Sequence, residues 1–216
     1  MKYLREPING FTHLAGAILA LITLGALVGT ATALGKERHA IAFLIFGLTL
    51  VGLYTSSTLY HLLPLSALGI ARLRRLDHMM IFALIAGTYT PFCLIALHGA
   101  WRWSILGTVW GLAIAGFLLK IFWIDAPVWF STILYLLQGW VAIIAVPVLV
   151  RALPSPGLFW LAAGGVVYSV GAIIHALNRP TIRRGVFEAH ELWHLFVLAG
   201  SGCHVWAVGR YLTPLG

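Results

Sequence analysis

The sequence predicts an all-α membrane protein, a seven-transmembrane helix bundle, and three observations carry that prediction. First, 61% of the 216 residues are hydrophobic and only 9% are charged, where soluble domains carry about 25% charged residues. Second, the apolar residues fall into seven runs, each near the ~20 residues that one bilayer crossing requires. Third, no polar stretch nears the ~50 residues at which a separate domain begins, so residues 1–216 are expected to form a single integral membrane domain.

The first run, Thr12 to Leu34, follows a polar start that carries Lys2, Arg5 and Glu6. Ala31-Thr32-Ala33 fits a small-x-small cleavage site, yet the run before it exceeds the ~7–15 apolar residues of a secretion signal, so this segment is expected to stay as a helix. The second run spans Ala40 to Leu63, and the stretch from Pro64 to Arg75 after it reads as a loop. The third run covers Leu76 to Leu97 and the fourth Trp103 to Ile124. The fifth, Val128 to Val150, contains Pro147 as the third contains Pro91, and each proline is expected to kink its helix. The sixth run ends at Asn178 after starting at Leu158, and Glu188 to Leu212 is the seventh. Gly25, Gly29 and Ala33, and again Gly107, Gly111 and Ala115, recur at a spacing that lets helices approach closely in lipid, so packing is their expected role. Trp101, Trp103, Trp123 and Trp129 sit near run ends, as an interfacial belt requires.

The formal charge of +8 does not indicate nucleic acid, because basic residues between spans normally set topology. Lys2, Arg5, Arg72, Arg74, Arg75, Lys120, Arg179, Arg183 and Arg184 fall on one side, against Lys36, Arg38, Arg102, Arg151 and Arg210 on the other. That balance places the N-terminus in the cytoplasm and the C-terminus outside. Lys120 is expected to snorkel to the interface. Cys93 and Cys203 lie within apolar runs and suggest neither a disulfide framework nor a thiolate metal site.

Ionisable groups at membrane depth are costly and mark function by default. Parity of the spans alone brings His13, His61, His78, His175, His190 and His194 to the cytoplasmic end, with Ser57 and Asp77 at the same level. His190 and His194 share one helix face one turn apart. An isolated pair of this kind is as readily two interfacial histidines bonded to loop carbonyls. A third imidazole, His61, from a facing helix completes three nitrogen ligands with room for water, the layout of a catalytic zinc site. Imidazole suits zinc, and no thiolate is present to recruit a softer metal. His190-Glu191-Leu192-Trp193-His194 is also an H-E-x-x-H string, whose Glu serves as general base in zinc proteases, and a membrane protease is a lesser alternative. His204 lies about 15 Å farther along the helix than His194 and reads as a buried polar contact.

Four motifs in order resemble one family: Glu6-x-x-Asn9-x-x-x-His13, Ser57-x-x-x-His61, Asp77, and His190-x-x-x-His194. They resemble the haemolysin III proteins of bacteria, within the progestin and adipoQ receptor group that includes the adiponectin receptors. The resemblance covers essentially the whole chain. It implies seven helices with the N-terminus inside and Zn2+ held by His61, His190 and His194, with Asp77 holding the water the metal activates and Ser57 beside the site. The related alkaline ceramidases hydrolyse lipid amides, and the receptor members carry a weaker activity of that kind. The long N-terminal region of the animal receptors has no counterpart here, so a hormone-receptor role is not expected to carry over.

The chemistry these residues suit is metal-assisted hydrolysis, with Asp77 orienting water and taking its proton while Ser57 steadies the oxyanion. A membrane lipid amide or ester at the inner leaflet is the expected substrate, in a role in lipid homeostasis; no protein partner is predictable. Two other classes stay open: a sensor of membrane state with structural zinc, and a lytic protein. Structural alternatives also stand for the single residues. Ser57 can bond back to its own helix, Asp77 can be a helix-start residue paired with Arg74 or Arg75, and Asn9 can cap the first helix.

Overall fold

The computed structural model describes residues 4–215, so Lys2 of the charge balance lies outside the described residues. Seven helical spans, each long and apolar enough to cross a membrane, follow one another up and down. They are α1 (Pro7–Ala33), α2 (Glu37–Leu62), α3 (Ala67–Pro91), α4 (Gly99–Phe122), a fifth span divided into α5 (Val128–Gly139) and α6 (Ala142–Ala152), α7 (Ser155–Leu177) and α8 (Ala189–Ala207). Single π-helical turns, Phe92–Ala96 and Val208–Leu212, extend α3 and α8. The helical architecture follows from lipid offering the backbone no hydrogen-bond partner, so that each span must satisfy its own.

The second and third spans are the most enclosed, and the other five present lipid-facing sides. Phe43, Phe46 and Leu50 of α2, with Phe82 of α3 and Val109 of α4, form the centre of the core and are almost fully buried.

Two expectations need correction. The stretch from Pro64 to Arg75 is mostly helix: α3 starts at Ala67, capped by the Ser66 side chain, which accepts from Gly69 N at 3.3 Å. The Ala, Leu and Arg residues that follow are good helix formers, so their polarity does not end the helix. The small-residue stripes do not pack. Gly25, Gly29, Gly107 and Gly111 have open space where a Cβ would be, and these stripes lie on the outer face. Close approach occurs instead at glycines such as Gly16, which seats Tyr54, and Gly164, which makes room for the His204 ring.

The fifth span breaks at Trp140, ahead of Pro147. The Tyr89 hydroxyl enters the gap, accepting from Ala142 N at 2.8 Å and donating to Gly139 O. A side chain inserted into the helix ladder is a recognised cause of such a break. Tyr89→Phe orphans both backbone groups and is expected to cost about 1–2 kcal/mol. Reversible unfolding in mixed micelles measures this, and an unchanged stability would show that the break does not depend on the phenol.

Candidate metal centre

The end of the bundle at which α1 begins gathers the site. α2 delivers His61 from its last turn, and α8 delivers His190 and His194 from its first two turns. Their ligand atoms all lie within 4.8 Å of one another. His190 Nε2 and His194 Nε2 are 3.2 Å apart. Two nitrogens on one tetrahedral zinc, at bonds of about 2.0–2.1 Å, would stand about 3.3–3.4 Å apart. His61 Nε2 is buried and has no hydrogen-bond partner, as a ligand nitrogen facing a metal position would be. The three imidazoles therefore fit a metal ion.

Glu6, at the N-cap of α1, explains why that nitrogen is free. Its Oε2 accepts from His61 Nδ1 at 2.6 Å, which fixes the tautomer and leaves Nε2 with its lone pair. The same bond holds the Glu6 carboxyl down to about 2 despite partial burial. Because this pKa is lowered on folding, its stabilising contribution is complete above about pH 4.5, the unfolded value. It is lost as the pH falls through about 2. Carboxylates that orient a ligating histidine typically contribute 10–100-fold to metal affinity. Glu6→Gln is accordingly expected to weaken binding of an added divalent metal ion about 10–100-fold, read by competition with a chromogenic chelator.

Asn9 is not the cap of α1, which begins at Pro7. Its side chain donates to Glu191 Oε1 at 2.9 Å and so ties α1 to α8. Glu191 Oε2 accepts from Glu188 N at 2.8 Å within a capping box that starts α8. Both oxygens of Glu191 are thus engaged in holding helices, which removes the support for a protease-type general base. His13 is 3% exposed, stacks on His194 with ring centroids 3.8 Å apart, and lines the same cavity.

That cavity, about 430 Å³, runs from the histidine cluster through the bundle and is walled mainly by apolar side chains. Asp77 and Ser57 both line it, side by side. Asp77 lies well inside α3, and Arg74 pairs with Asp125 instead, at 2.8 Å, so the helix-start alternative loses both its supports. The bond back to Leu53 O is made by Ser56, at 2.9 Å, leaving Ser57 to the cavity. Asp77 stands outside the 4.8 Å histidine group. The exposed residues that also line the cavity are Val128, Trp140, Ile143, Val146 and Val150 of the fifth span and Ala162 of α7. The cavity therefore opens sideways between those two spans, toward lipid.

The sequence model of the haemolysin-III-related family matches residues 1–205. This chain belongs to the haemolysin III family. It is 38% identical over 215 residues to Hemolysin-3 of Bacillus cereus, covering 99% of this chain and 94% of that protein. A Hemolysin-3 homolog of Bacillus subtilis is 37% identical over 210 residues, 97% and 95% of the two chains. The likeness extends more weakly to the adiponectin receptor-like group: human monocyte to macrophage differentiation factor is 25% identical over 226 residues, 96% of this chain and 90% of that one. With seven spans of its own, this haemolysin III chain is a multi-pass membrane protein.

Two features of this haemolysin III site escape sequence reasoning. The Glu6 bond to His61 joins residues 55 apart and has no local signal. Lys120 does not snorkel outward: it is 1% exposed, and its Nζ donates to Ser131 Oγ at 2.6 Å, inside the bundle. His204 is buried as expected but makes a ring contact, stacked on Tyr168 with centroids 5.4 Å apart. Tyr168 and Tyr54 both bond Ser201 Oγ at 2.7 Å, a second polar layer deeper in the bundle.

Proposed function

We propose that this haemolysin III protein is a zinc-dependent hydrolase of membrane lipid amides or esters, acting in membrane lipid homeostasis. The observation that carries the reading is the convergence of His61, His190 and His194 at the head of an apolar cavity that also holds Asp77 and Ser57. His61, His190 and His194 would hold the zinc. When bound, zinc supplies a Lewis acid and brings the pKa of water toward about 7. Glu6 keeps His61 Nε2 turned inward, and Asn9 with Glu191 keeps α1 and α8 together around the cluster. Asp77 takes the proton of the attacking water, Ser57 donates to the oxygen that gains charge, and the apolar bore takes the acyl chain and excludes bulk water.

The reading places the site at the cytoplasmic face of a bacterial plasma membrane, with the substrate in the inner leaflet, because Lys and Arg concentrate at that end of the bundle. The tie that Glu6, Asn9 and Glu191 make around the cluster favours one second reading, a sensor of membrane state in which zinc is structural. Elemental analysis of the purified protein is expected to find about one zinc per chain, and a panel of lipid amides and esters to yield free fatty acid. Zinc bound with no release from any substrate leaves the sensor and sinks the hydrolase. Absence of zinc from folded protein sinks both.

A further inference from the structure

Lys120 is a buried cation that, among the described residues, has no carboxylate within 4 Å. It sits in the last turn of α4, where a lysine ordinarily runs its stem outward and keeps its ammonium in water. Here it points inward and lines the cavity with Arg74, His78, Ser131 and Thr132. The ammonium has three donors, and Ser131 Oγ accepts one. Among the described residues no carboxylate lies within 4 Å of it. Asp125, whose charge reaches it, is 76% exposed and already bonded to Arg74. Asp77, the acid on the cavity wall, stands next to Ser57 and 3.8 Å from His78 Nδ1. A charge buried without a carboxylate partner is costly, and its retention calls for a ligand that completes it.

We propose that Lys120 and Ser131 form an anion-recognition site, separate from the histidine cluster, for the carboxylate or phosphate head of a lipid whose chain lies in the cavity. The occupant is a lipid because the cavity opens sideways between the fifth and sixth spans and its walls are mainly apolar. It is anionic because Arg74 on that stretch of wall is already paired with Asp125, while Lys120 has only the Ser131 hydroxyl and, among the described residues, no carboxylate within 4 Å. The proposal does not rest on hydrolysis or on zinc.

Trp140 and Trp193 line the cavity, so brominated lipids report binding by quenching tryptophan fluorescence in nonionic micelles. Two pairs differ in the anionic head: dibromostearic acid against its methyl ester, and dibrominated phosphatidate against the matching diacylglycerol. At least one anionic member is expected to bind about tenfold or more tightly than its neutral partner, as a charge-assisted hydrogen bond would provide. Which pair responds tells carboxylate from phosphate. Lys120→Met is expected to bring that preference to within about twofold while neutral-lipid binding is unchanged, and Lys120→Arg to retain most of it. If Lys120→Met does not fold, Ser131→Ala is expected to reduce the preference about threefold or more. The preference is expected to persist after zinc is stripped with a chelator, so that it stands or falls apart from the metal reading. No preference in either pair, a preference untouched by Lys120→Met or, in its place, Ser131→Ala, or one that disappears with the metal overturns the proposal.

Discussion

Replacing His194 by alanine is expected to reduce bound zinc from about one ion per chain to a trace, with an affinity loss exceeding the ~100-fold that removal of an orienting partner can cost. His194 is 2% exposed and sits at the meeting point of the cluster. Its Nε2 is 3.2 Å from that of His190, its ring centroid 4.8 Å from that of His61, and His13 stacks on its face. Alanine at this position leaves two imidazoles, and a pair cannot close a tetrahedral site without recruiting further water. Zinc binding to the native state alone also stabilises it by linkage, about 2.7 kcal/mol at a free concentration 100 times the dissociation constant. The wild-type melting temperature is therefore expected to rise with added zinc, and that of His194→Ala to stay flat. Elemental analysis with melting curves in detergent checks both. Full zinc occupancy in the variant would place the ion elsewhere.

The second large effect is expected at Asp77, where asparagine keeps the volume and removes the base. Hydrolysis of whichever lipid amide or ester is cleaved should fall about 10²–10⁴-fold, the usual contribution of general acid–base catalysis. Zinc content is expected to stay unchanged, since Asp77 lies outside the 4.8 Å group of ligand atoms. The contrast between the two substitutions is diagnostic: His194→Ala removes metal and activity together, while Asp77→Asn removes activity alone. Retention of the wild-type rate in Asp77→Asn would withdraw its role as base and leave Asp77 to the polar lining.

Much of the site is legible in the sequence because parity is a strong constraint. Each apolar run must cross, so the ends of α2, α7 and α8 that carry His61, His175, His190 and His194 can only meet at one level. The i, i+4 spacing of His190 and His194 then settles their common face. What escapes is of another kind. Nothing local connects Glu6 to His61 or Asn9 to Glu191, because those bonds join the first turns of α1 to helices far along the chain. The start of α3 is missed because arginines on a helix turn resemble a polar loop in composition, while the cap at Ser66 is a single weak signal. Lys120 is misplaced because a lysine near a span end is usually an interfacial anchor, and its inward turn is set by the neighbouring fifth span, where Ser131 receives it.

The sequence by itself determined how many apolar helices there are, in what order they follow, and which polar side chains share one end of the bundle. Only the tertiary structure decided which way each helix is rotated. That division has one physical cause. Crossing and depth follow from the transfer of apolar residues into the bilayer, which composition records directly. Rotation about the helix axis does not, because lipid is as apolar as the packed interior, and no amphipathic stripe separates the two. So the small-residue stripes on α1 and α4 face outward, Lys120 faces inward, and Glu6 reaches His61 through close packing and a few interhelical hydrogen bonds.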